Sequence, residues 1–181
     1  MRVTKEQMAE NRRRILEAAG RLFREKGFDS VTVAEVMQAA GLTHGGFYGH
    51  FKSKDDLIAE TLASVFSGPG SALSLEDYAA SYLTPKHRDN PAGGCPVAGL
   101  GSDTLRQAPQ ARAKMTAGMA RVIDRLARGT PGRNEAEKRR AAVAGYAAMV
   151  GALVLSRVSD DPKLSRELLD DTRDWIAHTR R

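Results

Sequence analysis

Two stretches of this 181-residue chain combine residue types and spacings that suit chemistry. The first is Thr43-His44-Gly45-Gly46-Phe47-Tyr48-Gly49-His50-Phe51, followed by Lys52 and Lys54. Phe47 and Phe51, four apart, belong on the inner face of a short helix. Tyr48 and His50 carry polar tips suited to phosphate oxygens, and Lys52 and Lys54 suit the same oxygens by charge. Three glycines in so short a helix cost it roughly 1 kcal/mol each relative to alanine. Gly45 and Gly46 clear side chains from the outer face, so a partner can meet the backbone. The plain alternative is a small helical domain whose glycines mark loops.

The second stretch is Gly93-Gly94-Cys95-Pro96-Val97, which holds the one cysteine. Pro96 suits the first position of a helix, which puts Cys95 at the N-cap. Cysteine is not a preferred cap. A thiol there feels the positive end of the helix dipole, which favours its thiolate and reaction with oxidants or electrophiles. Cysteine also packs helix starts as a small hydrophobe, so both roles stand. A single cysteine permits no intrachain disulfide, in keeping with a reducing cytoplasm.

Other chemistry finds no footing. The chain has no resolving cysteine, no phosphate loop and no Ser/His/Asp arrangement, so no catalytic residues are expected and the chain is not read as an enzyme. His44, His50, His87 and His178 lack metal-like spacing, and neither a metal nor a cofactor is expected.

The elements that position these residues are helical almost throughout, and no alternating strand pattern appears. A first helix is expected over Lys5–Lys26, stopped by Gly27. Thr32 with Glu35 reads as a capping box for a second, ending at Gly41. Thr43 caps a third through His50, and Ser53 a fourth, with Asp55 and Asp56 in its first turn. Ser67–Ser71 breaks the pattern. Beyond it come helices over Ser74–Leu83, Pro96–Gln107, Pro109–Gly129, Glu135–Arg157 and Pro162–Thr179, with Pro85–Gly94 as a loop. The fold expected is all-α with about nine helices: a three-helix helix-turn-helix domain over 1–66, then a second helical domain over 67–181.

Net charge is +6, with a sequence pI near 9.7. Residues 1–66 carry ten Lys/Arg against nine Asp/Glu. Bulk charge therefore permits a polyanionic partner without arguing for one. The polar, charged N-terminus reads as no secretory signal. The longest apolar run, Ala141–Leu155, falls short of the ~18–20 residues of a membrane span and is expected to be a buried core helix. The expected location is cytoplasmic, with no membrane partner.

The second and third helices, joined by Gly41-Leu42, have the makings of a helix-turn-helix, whose second helix enters the major groove. The stretch Ile15–Leu57 resembles the N-terminal domain of the TetR/AcrR family of transcriptional regulators. The resemblance rests on Ile15-Leu16-Glu17-Ala18-Ala19, Leu22-Phe23 with Gly27-Phe28, Thr32-Val33 before Ala39-Ala40-Gly41, and Phe47-Tyr48-Gly49-His50-Phe51-Lys52-Ser53-Lys54 with Leu57. It implies that Thr32, Thr43, Tyr48, His50 and Lys54 contact phosphates, and that His44, Gly45 and Gly46 lie at base edges. The family often has Ser-Lys-Gly or Ser-Lys-Pro where this chain has Thr43-His44-Gly45, so its operator does not carry over. The resemblance also implies a homodimer through the last two helices, about 135–157 and 162–179. Ala141, Ala144, Gly145, Ala148 and Ala152 form a small-residue stripe suited to that approach. The Gly-Cys-Pro-Val segment resembles that of a subset of the family, some of which sense electrophiles through a cysteine.

These readings converge on a repressor that binds a palindromic operator in double-stranded DNA as a homodimer. An unknown small-molecule effector, or an electrophile or oxidant at Cys95, releases it. Tyr78, Tyr82, Met115, Met119, Val122 and Tyr146 are the candidate effector lining, although such stripes are more often plain core. The alternatives are a thiol-based enzyme in a helical scaffold, and a non-specific DNA-binding protein whose affinity ignores sequence and follows only salt.

Overall fold

The structure is a computed structural model that describes residues 4–67 and 71–178. Among them it contains nine α-helices and one 3₁₀ helix, and no strand. The helices are α1 (Lys5–Lys26), α2 (Val33–Ala39), the 3₁₀ helix (His44–Gly49), α3 (Lys54–Val65), α4 (Leu75–Tyr82), α5 (Pro85–Arg88), α6 (Pro96–Thr104), α7 (Pro109–Gly129), α8 (Glu135–Val158) and α9 (Pro162–His178).

Short polar side chains start most of them. Thr4, Ser53, Ser74 and Asn134 each accept a bond from the backbone N–H three residues on. At α2 the box is complete: the Glu35 N–H donates to the Thr32 hydroxyl at 3.2 Å, and the Thr32 N–H donates to the Glu35 carboxylate at 3.3 Å. Gly27 (φ 81°) and Gly41 (φ 67°) take the left-handed backbone that ends α1 and turns the chain after α2.

The chain forms two compact units: Met1–Gly68 with Gly99–Gly118, and Pro69–Ala98 with Met119–Arg181. Helices α6 and α7 each contribute to both. The first unit is built on a small aromatic core. Phe23, Phe28, Phe47 and Phe51 are almost completely buried, and the Phe23 and Phe28 rings meet edge to face at 5.2 Å. Phe28, just past Gly27, folds back onto the apolar face of α1.

The second unit centres on α8, against which α4 and α9 pack. Its core includes Leu83, Leu126, Met149, Leu153, Leu169 and Ile176. Gly145 admits α4: a Cβ there would stand 2.5 Å from Leu75. With 24 residues and a mean hydropathy of 1.6 over its most apolar window, α8 is long and apolar enough to cross a membrane by length and composition. Ala142, Tyr146, Met149 and Leu153 are nonetheless buried inside this unit.

Local details differ from the sequence reading. The third element is a 3₁₀ helix, as suits a six-residue segment with three glycines. Thr43 precedes it in extended conformation but makes no capping bond. The Pro85–Gly94 segment contains α5, begun by Pro85 and capped by Thr84. In the small-residue stripe of α8, Gly145 and Ala152 face this unit's own core, whereas Ala144 is exposed and Ala141 and Ala148 are partly so; Val143 and Ala147 beside the stripe are exposed as well. Along α9, Ile176 is buried while Leu164 and Trp175 are about half exposed. Within the expected break at 67–71, residues 68–70 lie outside the described residues, as does Thr179 of the expected last helix.

Candidate nucleic-acid interface

A six-residue helix has almost no stability of its own. Two anchors hold this one. Phe47 is 1% exposed, stacks on Phe51 at 5.7 Å and meets the edge of Tyr48 at 5.3 Å. Arg12 of α1 supplies the second anchor. Its guanidinium donates to the His50 carbonyl at 2.8 Å and to Glu60 of α3 at 3.1 Å, and lies 4.4 Å from the centre of the Phe51 ring. One side chain thus ties α1, the end of the 3₁₀ helix and the middle of α3 together. The sequence reading missed Arg12. It stands in a run of three arginines, Arg12–Arg14, and nothing in the run distinguishes it.

With Phe47 turned inward, Thr43, His44, Gly45, Gly46, Tyr48 and Gly49 are left exposed, Tyr48 by 73%. Lys52 is exposed and Lys54, in the first turn of α3, partly so. Thr32 is exposed at the start of α2. Its hydroxyl oxygen accepts from the Glu35 N–H. An open cleft of about 580 Å³ between α1 and the 3₁₀ helix is lined by Arg12, Tyr48, His50 and Lys52 among others. Burial, and then the charge of Arg12, hold the His50 imidazole below its ordinary titration range. The neutral imidazole is therefore favoured more than in a free histidine.

In the second unit Cys95 immediately precedes α6 and is partly buried. Its sulfur lies 3.8 Å from the Tyr146 hydroxyl. The Tyr82 hydroxyl, on a residue 4% exposed, has no hydrogen-bond partner. Tyr78 packs on Tyr82 at 5.5 Å, and the Arg125 guanidinium lies 5.7 Å from the centre of the Tyr78 ring. Burial keeps all three phenols protonated, with Tyr78 pushed up to about 12. Of the candidate effector residues, Tyr78, Tyr82, Cys95, Met119, Val122 and Tyr146 gather at this core, whereas Met115 belongs to the first unit.

His87, for which sequence spacing suggested no role, organises the thiol loop. The Cys95 N–H donates to His87 Nε2 at 2.9 Å, and Nδ1 lies 2.8 Å from the Tyr82 carbonyl. Nε2 must therefore accept, and Nδ1 carry the proton. Arg157 of α8 donates to the His87 and Arg88 carbonyls. Arg88 donates to Ser165 of α9, whose hydroxyl in turn donates to the Ser156 carbonyl.

Burial is the main cause that lowers the His87 pKa from 6.5, and nearby Arg157 adds to it. As pH falls through that ordinary value the unfolded chain takes up a proton that the folded chain resists, so stability falls with pH. Between about pH 7.5 and 5.5 the melting temperature is expected to drop more for the wild type than for His87→Gln. Parallel melting curves would contradict this assignment.

The family described as bacterial regulatory proteins, tetR family, matches residues 15–61. That span contains the helix-turn-helix and its anchor Phe47, whereas Arg12 precedes it. The HTH-type transcriptional regulator AcrR of Shigella flexneri is 46% identical over 59 residues, 33% of this chain and 27% of that protein. The HTH-type transcriptional repressor Rv1474c of Mycobacterium tuberculosis is 34% identical over 87 residues, 44% of this chain and 46% of that protein. The chain thus spans less than half the length of these relatives. In fold it is similar to the reduced form of NemR from E. coli, with a TM-score of 0.72 and 20% identity over 92% of this chain and 94% of that one. A TetR-family regulator from Cytophaga hutchinsonii has a TM-score of 0.71 and 19% identity, over 98% and 97%. Residues 15–61 thus match the tetR family of bacterial regulatory proteins, and the chain is similar to regulators of the TetR/AcrR type.

Proposed function

We propose that this protein is a repressor in the cytoplasm that binds a palindromic operator as a homodimer and is released by an effector. Residues 1–66 form its DNA-binding part and 67–181 its effector-binding and dimerisation part. The observation that carries the reading is the outer face of the 3₁₀ helix: His44, Gly45, Gly46 and Tyr48 exposed together on an element pinned by Phe47 and Arg12. In this reading His44, Gly45 and Gly46 meet base edges. Thr32, Thr43, Tyr48, His50, Lys52 and Lys54 hold phosphates and set the register.

Two half-sites about one helical turn apart, ~34–36 Å, require two recognition elements and hence two copies. The exposed apolar residues of α8 and α9 supply a surface for the second copy. Release follows when the effector favours an arrangement whose recognition elements no longer match the half-site spacing.

Cys95 is the reactive group in one form of this reading. Tyr146 and the unpartnered Tyr82 hydroxyl supply donors to a thiolate or to an oxygen added to the sulfur. Loss of the Cys95 N–H bond to His87 would then reach α8 and α9 through Arg157 and Arg88. In the other form, a small molecule settles among Tyr78, Met119, Val122 and Tyr146.

Selection of bound sequences from a random DNA pool, with purified protein at moderate salt, tests the reading. A palindromic winner is expected, and no enriched sequence would refute it. Binding to the winner is then measured with and without a thiol-reactive electrophile. Release by the electrophile, abolished in Cys95→Ser, is the outcome expected of the thiol form. Equal binding throughout would leave only the small-molecule form.

A further inference from the structure

Several of the described glycines have an internal reason. Gly27 and Gly41 have positive φ, and a Cβ at Gly118, Gly129 or Gly145 would run into Phe66, the Leu73 carbonyl or Leu75. The glycines of the 3₁₀ helix are different. None has positive φ, a Cβ at Gly46 would make ordinary contact with Met37, and a Cβ at Gly45 or Gly49 would meet nothing within 4 Å. The fold would accept alanine at 45 and 49, and alanine suits a helix better than glycine does. Yet the segment is His-Gly-Gly-Phe-Tyr-Gly.

The family resemblance bears on Gly45 and Gly46 and assigns no role to Gly49. In a helix of three residues per turn Gly49 lies directly beyond Gly46, so the two bare a continuous strip of backbone beside Tyr48. Tyr48 projects from the same exposed side, 73% accessible. Nothing within the described residues keeps a side chain off Gly49.

Resting on the operator-binding reading, we infer that Gly49 is a specificity-determining residue: its bare backbone seats against the edge of the DNA groove in the specific complex. There the missing side chain lets the whole 3₁₀ helix sink deeper than a methyl group would allow, and that depth sets the reach of His44 and Tyr48. A non-specific complex, held by phosphate contacts from Lys52 and Lys54 at the rim, does not need this depth.

The test compares the wild type, Gly49→Ala and Gly49→Leu on the duplex selected by the wild type and on a scrambled duplex, alongside thermal melting. The expected result for Gly49→Ala is a melting temperature equal to or above that of the wild type, with affinity for the selected duplex down roughly tenfold. Gly49→Leu should lose more, and affinity for the scrambled duplex should be nearly unchanged in both. Wild-type-like or tighter binding by Gly49→Ala would overturn the inference and show that the glycine serves looseness in the helix. A lowered melting temperature would overturn it too, because the glycine would then have an internal reason. If the wild type itself enriched no sequence, the operator reading would fail first and this inference with it.

Discussion

Phe47→Ala is expected to destabilise the first unit by about 3–5 kcal/mol and to abolish operator binding with it. The side chain is 1% exposed and touches both neighbouring aromatics, Tyr48 and Phe51. Its removal leaves a cavity under the one face by which the 3₁₀ helix holds to the core. A segment of six residues with three glycines cannot keep its shape without that hold. The Arg12 bond to the His50 carbonyl and its place over Phe51 depend on the same packing. Urea unfolding followed by circular dichroism checks the first part, and binding to the selected duplex the second. A loss below about 1 kcal/mol would mean that the aromatic cluster is not what holds the helix.

Gly151→Leu carries the other large effect, on assembly. Gly151 lies on the outer side of α8, and a Cβ there would meet nothing within 4 Å. Along the same helix Val143, Ala147, Leu155 and Val158 are exposed, Leu155 by 54% and Val158 by 77%. On α9 Leu164 and Trp175 are exposed by 46% and 54%. Spacings of three and four put the α8 residues on one face, and small residues at 144, 147 and 151 let another helix come close. A monomeric protein seldom leaves so much apolar surface open.

If a second copy covers this face, a leucine at 151 holds the two α8 helices apart. Light scattering should then find a dimer for the wild type and a monomer for Gly151→Leu at micromolar concentration. Affinity for the palindromic duplex should fall about a hundredfold or more, because the two half-sites no longer act together. Helix content should persist, since the substitution points into open space within the subunit. An unchanged dimer with unchanged affinity would place the interface elsewhere.

Much of the candidate site was legible from local rules. Thr32 with Glu35, Ser53 with two aspartates behind it, and Gly27 and Gly41 each act within a few residues, and the structure shows all of them in the expected conformations. Phe47 and Phe51 four apart declared an inner face, and both are buried. The third element was harder. Its residues were identified as helical, but three glycines weaken the α form, and neighbouring contacts chose the tighter 3₁₀ turn. Similarly, Pro85 and Thr84 carry a valid helix start that the surrounding polar residues masked.

By itself, the sequence determined the succession of helices, their caps and stops, and the segment that presents Tyr48 and the glycines, because these depend on hydrogen bonds and backbone torsions spanning three or four residues. Only the tertiary structure decided which face of each helix turns inward. On α8 it sent Gly145 and Ala152 toward the core and left Val143, Ala147 and Gly151 outside, a choice that periodicity cannot make on a helix apolar nearly all round. It also singled out Arg12 from three arginines and tied His87 to Cys95, since those bonds join residues 38 and eight positions apart whose meeting depends on how the helices pack.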